Sequence, residues 1–139
     1  MSTVSQVIRE RVASQARFRC GYCLTQEQVS GVPLTIEHLM PRAKGGNDTE
    51  ENLWTACRLC NETKGILTDA PEPETGEVVP LFNPRQQSWA DHFVWSENGT
   101  QIIGTTSVGR ATVLALALNT EFRVRARALW VEVGWHPPE

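Results

Sequence analysis

The sequence has no long apolar run. Its longest, VLALAL at 113–118, falls far short of the ~20 residues that cross a bilayer as a helix, so no membrane partner is expected. The first fifteen residues, MSTVSQVIRERVASQ, are polar where a secretion signal would be apolar. Internal repeats and low-complexity tracts are also missing, which excludes a solenoid or a compositionally biased tail. A surplus of positive charge is absent too: the formal net charge of −3 excludes a protein whose entire surface attracts nucleic acid. These absences predict a cytoplasmic protein, in a compartment where thiols stay reduced and disulfides are rare.

What is present is ordinary in bulk and uneven in detail. At 139 residues, 40% hydrophobic and 21% charged, the chain has the size and composition of a single globular domain, 1–139. Arg9, Arg11, Arg17 and Arg19 crowd one end and Arg123, Arg125 and Arg127 the other, with Asp69, Glu72, Glu74 and Glu77 between them. A basic face on an acidic protein is therefore possible.

Four cysteines in a reducing compartment need an explanation other than disulfides. They read Cys20-Gly-Tyr-Cys23, then 33 residues, then Cys57-Arg-Leu-Cys60. Two C-x-x-C pairs make two knuckles whose sulfurs converge on one ion, the pattern of a structural zinc site. Such a site contributes directly to the folding of a small domain. Buried free thiols or one redox-active C-x-x-C are the competing explanations; two pairs with no cysteine left over favour zinc. The gap exceeds the common spacing, so a functional element is expected inside it.

Val4, Ile8 and Val12 recur four apart, which predicts an amphipathic helix leading into the first pair. VPLTIEH and NLWTAC read as short strands, PRAKGGNDTEEN between them as a loop, and CNETKGIL as a short helix. TDAPEPETGE reads as a solvated acidic connector, about 69–78. Beyond it, FNPRQQSWADHF offers Asn83 as N-cap and Pro84 at the first helical position. HFVWSENGTQIIGTT reads as a hairpin about Asn98-Gly99. SVGRATVLALALN and roughly 120–133 read as two further helices.

Between the knuckles, EH-x-x-P at 37–41, a loop containing paired glycines, ENLW at 51–54 and C-R-L-C-N-x-x-K at 57–64 resemble the HNH endonuclease family. The resemblance covers roughly residues 20–65, and its motifs are specific taken together. It implies an α+β protein: a strand–loop–strand–helix (ββα-metal) core at about 18–68, stapled by the four-cysteine zinc site. A helix–hairpin–helices extension, about 79–139, would pack on that core. The resemblance also implies cleavage of DNA, with His38 as general base, Glu37 and Asn61 holding a catalytic metal, and Asn52 pinning the loop that aims His38. The expected products carry 5′-phosphate and 3′-hydroxyl ends.

The chemistry suits those residue types. An imidazole titrates near neutrality and so makes a ready base. A carboxylate and an amide oxygen are hard ligands suited to Mg2+ or Mn2+, and the cation serves as Lewis acid. Neighbours on a strand point to opposite faces, so Glu37 and His38 work together only where the strand ends. Arg42, Lys44 and Lys64 are candidate phosphate contacts. Two departures stand out: glutamate replaces the family's more usual aspartate before the histidine, and the motif's third member is Asn61 rather than histidine. Alone, each residue has a structural explanation, as a surface dipeptide or a cap; the spacing H-x(13)-N-x(8)-N between zinc knuckles favours function. The alternative class is a non-catalytic, zinc-stabilised nucleic-acid-binding module. His92 is expected in an aromatic cluster with Trp89, Phe93 and Trp95, and His136 in a structural role. Oligomeric state is left open by the sequence.

Overall fold

The computed structural model describes residues 4–139, which divide into two compact units. One comprises the described residues up to Thr68 together with Asn83–Gln86; the other comprises Asp69–Phe82 and Gln87–Glu139. No helix among the described residues is long and apolar enough to cross a membrane.

The first unit opens with helix α1 (Gln6–Gln15), capped by Ser5, whose hydroxyl accepts from the Ile8 amide at 3.2 Å. The apolar spacing then does its work: Val4 and Val12 are buried with Leu53, and Ile8, Ile36 and Trp54 pack against them. A short helix, α2 (Glu27–Ser30), leads to strand β1 (Thr35–His38), which pairs antiparallel with β2 (Leu53–Ala56) from Thr35↔Ala56 to His38↔Leu53. Helix α3 (Arg58–Lys64) follows directly, so the order is strand, loop, strand, helix. Arg85 joins this unit by donating to the Leu53 carbonyl at 3.0 Å and lying over the Trp54 ring at 5.0 Å.

The second unit starts with strands β3 (Asp69–Pro71) and β4 (Val78–Pro80), an antiparallel hairpin. The segment expected to be a solvated connector is thus ordered, because Glu72 turns inward rather than out. One oxygen accepts from the Glu74 and Thr75 amides and the Thr75 hydroxyl; the other meets Arg110 at 2.7 Å. Four such donors, one of them charged, offset the water this carboxylate gives up on burial.

Strands β5 (Phe93–Trp95) and β6 (Ile102–Gly104) form the hairpin expected about Asn98-Gly99, with Gly99 at φ +73°. Helices α4 (Ser107–Ala115) and α5 (Glu121–Glu132) are capped by Thr106 and Thr120. Phe82 meets Phe93 edge-on at 5.1 Å and Trp89 stacks on Phe93 at 5.1 Å. His92 sits in this cluster with Nδ1 2.7 Å from the Thr106 hydroxyl, and His136 contacts the Gly99 carbonyl at 3.0 Å.

Two local expectations fail in this half of the chain. The helix expected from Asn83-Pro84 is a single turn: the Asn83 side chain accepts from the Arg85 and Gln86 amides and the helix stops there. A capped first turn propagates only when the following residues bury an apolar stripe, and Arg85-Gln86-Gln87-Ser88 offers none. Arg127, counted with the basic end, is buried, donating to the Thr100 and Leu118 carbonyls at 3.0 and 2.6 Å.

Candidate active site

The zinc expectation is met in geometry. The four sulfurs of Cys20, Cys23, Cys57 and Cys60 all lie within 4.8 Å of one another, and Cys23 and Cys57 are 3.6 Å apart. Tetrahedral Zn–S bonds of about 2.3 Å require sulfur separations of roughly 3.8 Å, so the set suits a structural zinc. The backbone cooperates. Cys57 caps α3 and accepts from the Cys60 amide at 3.4 Å, and Cys20 accepts from the Tyr22 amide at 3.4 Å. Burial pushes the Cys20 thiol well above its ordinary range; a bound cation removes that penalty by taking the thiolate directly.

The knuckles anchor the hairpin. The Gly21 amide donates to the Thr55 carbonyl and the Thr55 hydroxyl to the Arg19 carbonyl, at 2.9 and 2.7 Å. Alternation on β1 then divides the functional residues. Thr35 and Glu37 face α3, where Asn61 donates to the Thr35 hydroxyl at 3.0 Å. Ile36 faces the apolar cluster under α1, and His38 leaves on that opposite side at the last residue of the strand.

Glu37 is 2% exposed. Its Oε1 accepts from the Tyr22 hydroxyl at 2.7 Å and lies 2.9 Å from the Lys64 ammonium, itself 4% exposed. Lys64, expected at a phosphate, is therefore inside, making a charge contact off the angle of a well-directed hydrogen bond. Oε2 of Glu37 is buried and has no hydrogen-bond partner. Burial pushes the Glu37 carboxyl above its usual range; Lys64 and Tyr22 offset part of that. The oxygen without a donor is the feature that fits a divalent cation, with the Asn61 amide on the same face of the hairpin.

On the other side, His38 Nε2 is 2.7 Å from Asp48 Oδ1. Arg42 converges on the same oxygen, its Nε at 3.1 Å and Nη2 at 2.9 Å. Lys44 remains an exposed ammonium, 3.5 Å from the Thr68 hydroxyl. Asn52 ties the loop at three points: it accepts from the Met40 amide at 2.8 Å and donates to the Met40 and Asn47 carbonyls at 3.0 and 2.8 Å. The paired glycines have separate reasons. Gly45 holds φ +89°, a conformation that costs other residues about 1 kcal/mol or more. At Gly46 a Cβ would collide with the Met40 carbonyl and crowd the Asn52 amide.

The structure thus brings Glu37 to Lys64, Asn61 to Thr35, and Asn52 to its loop. His38 stands apart from Glu37 across the strand. Three residues that carry this arrangement escaped the sequence reading: Asp48, Tyr22, and Lys64 as the partner of Glu37. Asp48 is one acid in an acidic loop, and only the folded loop distinguishes it from Glu50 or Glu51.

Residues 20–66 match the HNH endonuclease family. The matched segment holds both cysteine pairs, the β1–β2 hairpin with its loop, and α3. No curated protein and no solved structure matches the chain.

Proposed function

We propose that the HNH segment is a metal-dependent endonuclease hydrolysing phosphodiester bonds of DNA, acting in the cytoplasm. The observation that carries the reading is the family match over 20–66, within which His38 ends β1 and Asn52 ties the adjoining loop at three points. Glu37 and Asn61 would hold Mg2+ or Mn2+, through the Glu37 oxygen that lacks a donor and the Asn61 amide oxygen. When bound, the cation supplies Lewis-acid stabilisation of the phosphoryl charge and of the departing 3′ oxygen. His38 takes the proton from the attacking water, which adds to phosphorus in line and leaves a 5′-phosphate and a 3′-hydroxyl. Tyr22 and Lys64 hold the Glu37 carboxylate in place, and Lys44 and Arg42 supply positive charge for the phosphate backbone. The zinc site is structural: it fixes Tyr22 and the start of α3, and through them both faces of the hairpin.

The test is nicking of supercoiled plasmid by zinc-loaded protein, with and without added Mg2+ or Mn2+, alongside His38→Ala. Cleavage is expected only with the added cation, and a loss of about 100-fold or more in His38→Ala. A folded, zinc-loaded wild type that binds DNA but cuts in neither metal would instead support the non-catalytic binding module. Full activity of His38→Ala would overturn the assignment of the base.

A further inference from the structure

We infer that Asp48 is the positioning residue for His38, fixing which ring nitrogen carries the proton and leaving Nδ1 as the basic one. The inference rests on the endonuclease reading and names how its base is aimed.

The Asp48 Oδ1 to His38 Nε2 separation is 2.7 Å, with side-chain exposures of 22% and 18%. An ionised carboxylate only accepts hydrogen bonds, so a neutral imidazole at this distance must place its proton on Nε2. Its lone pair is then on Nδ1. One ring nitrogen fixed by an acceptor while the other works is the arrangement by which a carboxylate sets a histidine's tautomer and ring orientation.

The placement of Asp48 is built rather than incidental. The residue before it is held by its carbonyl, which accepts from Asn52 Nδ2 at 2.8 Å. The residue after it is held by the Asn47 side chain, which accepts from the Thr49 amide at 3.2 Å and the Thr49 hydroxyl at 2.7 Å. Asp48 is therefore clamped on both sides, and Arg42 holds the oxygen that meets His38 from a third direction at 2.9 Å. This gives Asn52 a concrete task. It acts through the backbone: it fixes the loop that carries Asp48, and Asp48 fixes the ring. Gly46 lets the loop come close enough to Met40 and Asn52 for this to happen.

A contact made only by the charged ring would leave the neutral ring with its intrinsic, incomplete preference for the Nε2–H form, whereas a fixed acceptor makes that form exclusive. The tautomer therefore separates the two roles. The experiment is long-range 1H–15N correlation of the histidines in the zinc-loaded 139-residue chain, at a pH well above the ordinary imidazole pKa of about 6.5. His38 is assigned by its absence in His38→Ala. Wild type and Asp48→Asn, which keeps an oxygen acceptor, are expected to show His38 protonated on Nε2. Asp48→Ala is expected to show a mixture of tautomers. Arg42→Gln, which leaves the Asp48–His38 contact in place, is expected to keep the wild-type tautomer.

In plasmid cleavage, kcat is expected to fall about 10- to 100-fold in Asp48→Ala, part of the 10²–10⁴ that a positioned base supplies, with KM little changed and substantial recovery in Asp48→Asn. An unchanged tautomer and unchanged kcat in Asp48→Ala would overturn the inference. So would Nδ1 protonation in the wild type. If the wild type cleaves nothing, the endonuclease reading fails while the tautomer measurement still decides whether Asp48 sets the ring.

Discussion

Replacing Lys64 by methionine tests whether the charge buried under the hairpin is held in place by its partner. Lys64 and Glu37 are 4% and 2% exposed and 2.9 Å apart. In Lys64→Met the carboxylate keeps only the Tyr22 hydroxyl on Oε1, and Oε2 already has no donor. Removing one member of a buried pair costs about 3–5 kcal/mol, because the survivor is neither hydrated nor compensated. That is a large share of the roughly 5–15 kcal/mol that holds a domain folded. In Glu37→Gln/Lys64→Met no charge is left, and much of the loss should return. Apolar or neutral replacement of a whole buried pair is often close to neutral. A coupling of about 2–3 kcal/mol is therefore expected between the two sites. The measurement is native-state hydrogen exchange on zinc-loaded protein, read at the Leu39 and Gly21 amides, which donate to Asn52 and Thr55 within this unit. A cost under about 1 kcal/mol in Lys64→Met, or a double variant no better than the single, would refute the argument. Either result would mean that water or a cation already compensates Glu37 where the structure places Lys64.

Three further outcomes are expected. Gly46→Ala should break the contacts of Asn52 with Met40, since the new Cβ meets the Met40 carbonyl; plasmid cleavage should fall about tenfold or more while zinc content by metal analysis stays that of the wild type, and a loss of zinc would show the damage to be global. In the second unit, Arg110 and the Thr75 and Glu74 donors hold the Glu72 carboxyl down to about 2 from an ordinary 4.5. A depressed carboxyl contributes stability that is complete above 4.5 and lost as pH falls through about 2. Glu72→Gln should therefore flatten acid unfolding of the β3–β4 hairpin across that window, and Arg110→Met should raise the Glu72 titration midpoint seen by carboxyl 13C NMR. A Glu72 midpoint that does not move would contradict the pairing with Arg110.

How much of this was legible before the structure depends on the range over which each feature is encoded. The cysteine pairs carry their own geometry, because two residues between thiols make a knuckle wherever the rest of the chain lies. The hairpin strands and α4 and α5 were readable from local residue pattern and an Asn-Gly turn, both short-range devices. The same devices misled at Asn83-Pro84, where the cap chemistry is real but closes one turn. They misled again at 69–78, where proline and acid content described a solvated connector. Composition cannot tell that one of those acids, Glu72, has four donors waiting for it, one of them 38 residues away.

Lys64 is the more instructive miss, since the information needed to place it was at hand. Asn61 and Lys64 are three apart on one helix and so share a face. Expecting Asn61 to turn toward the Glu37 strand already committed Lys64 to the same direction. A lysine is exposed by default, and that prior sent its ammonium outward to a phosphate. The face rule should have prevailed: a cation on the strand-facing side of α3 must find a carboxylate there or remain unpaired, and Glu37 is the acid on the matching face of β1. Asp48 allows no such deduction. It lies in an irregular loop with no period to assign its direction, and it meets His38 only because Asn52 and Gly46 close that loop on Met40 and Asn47. Residues on helices and strands can be paired by face, whereas residues in a pinned loop are paired only by the pins.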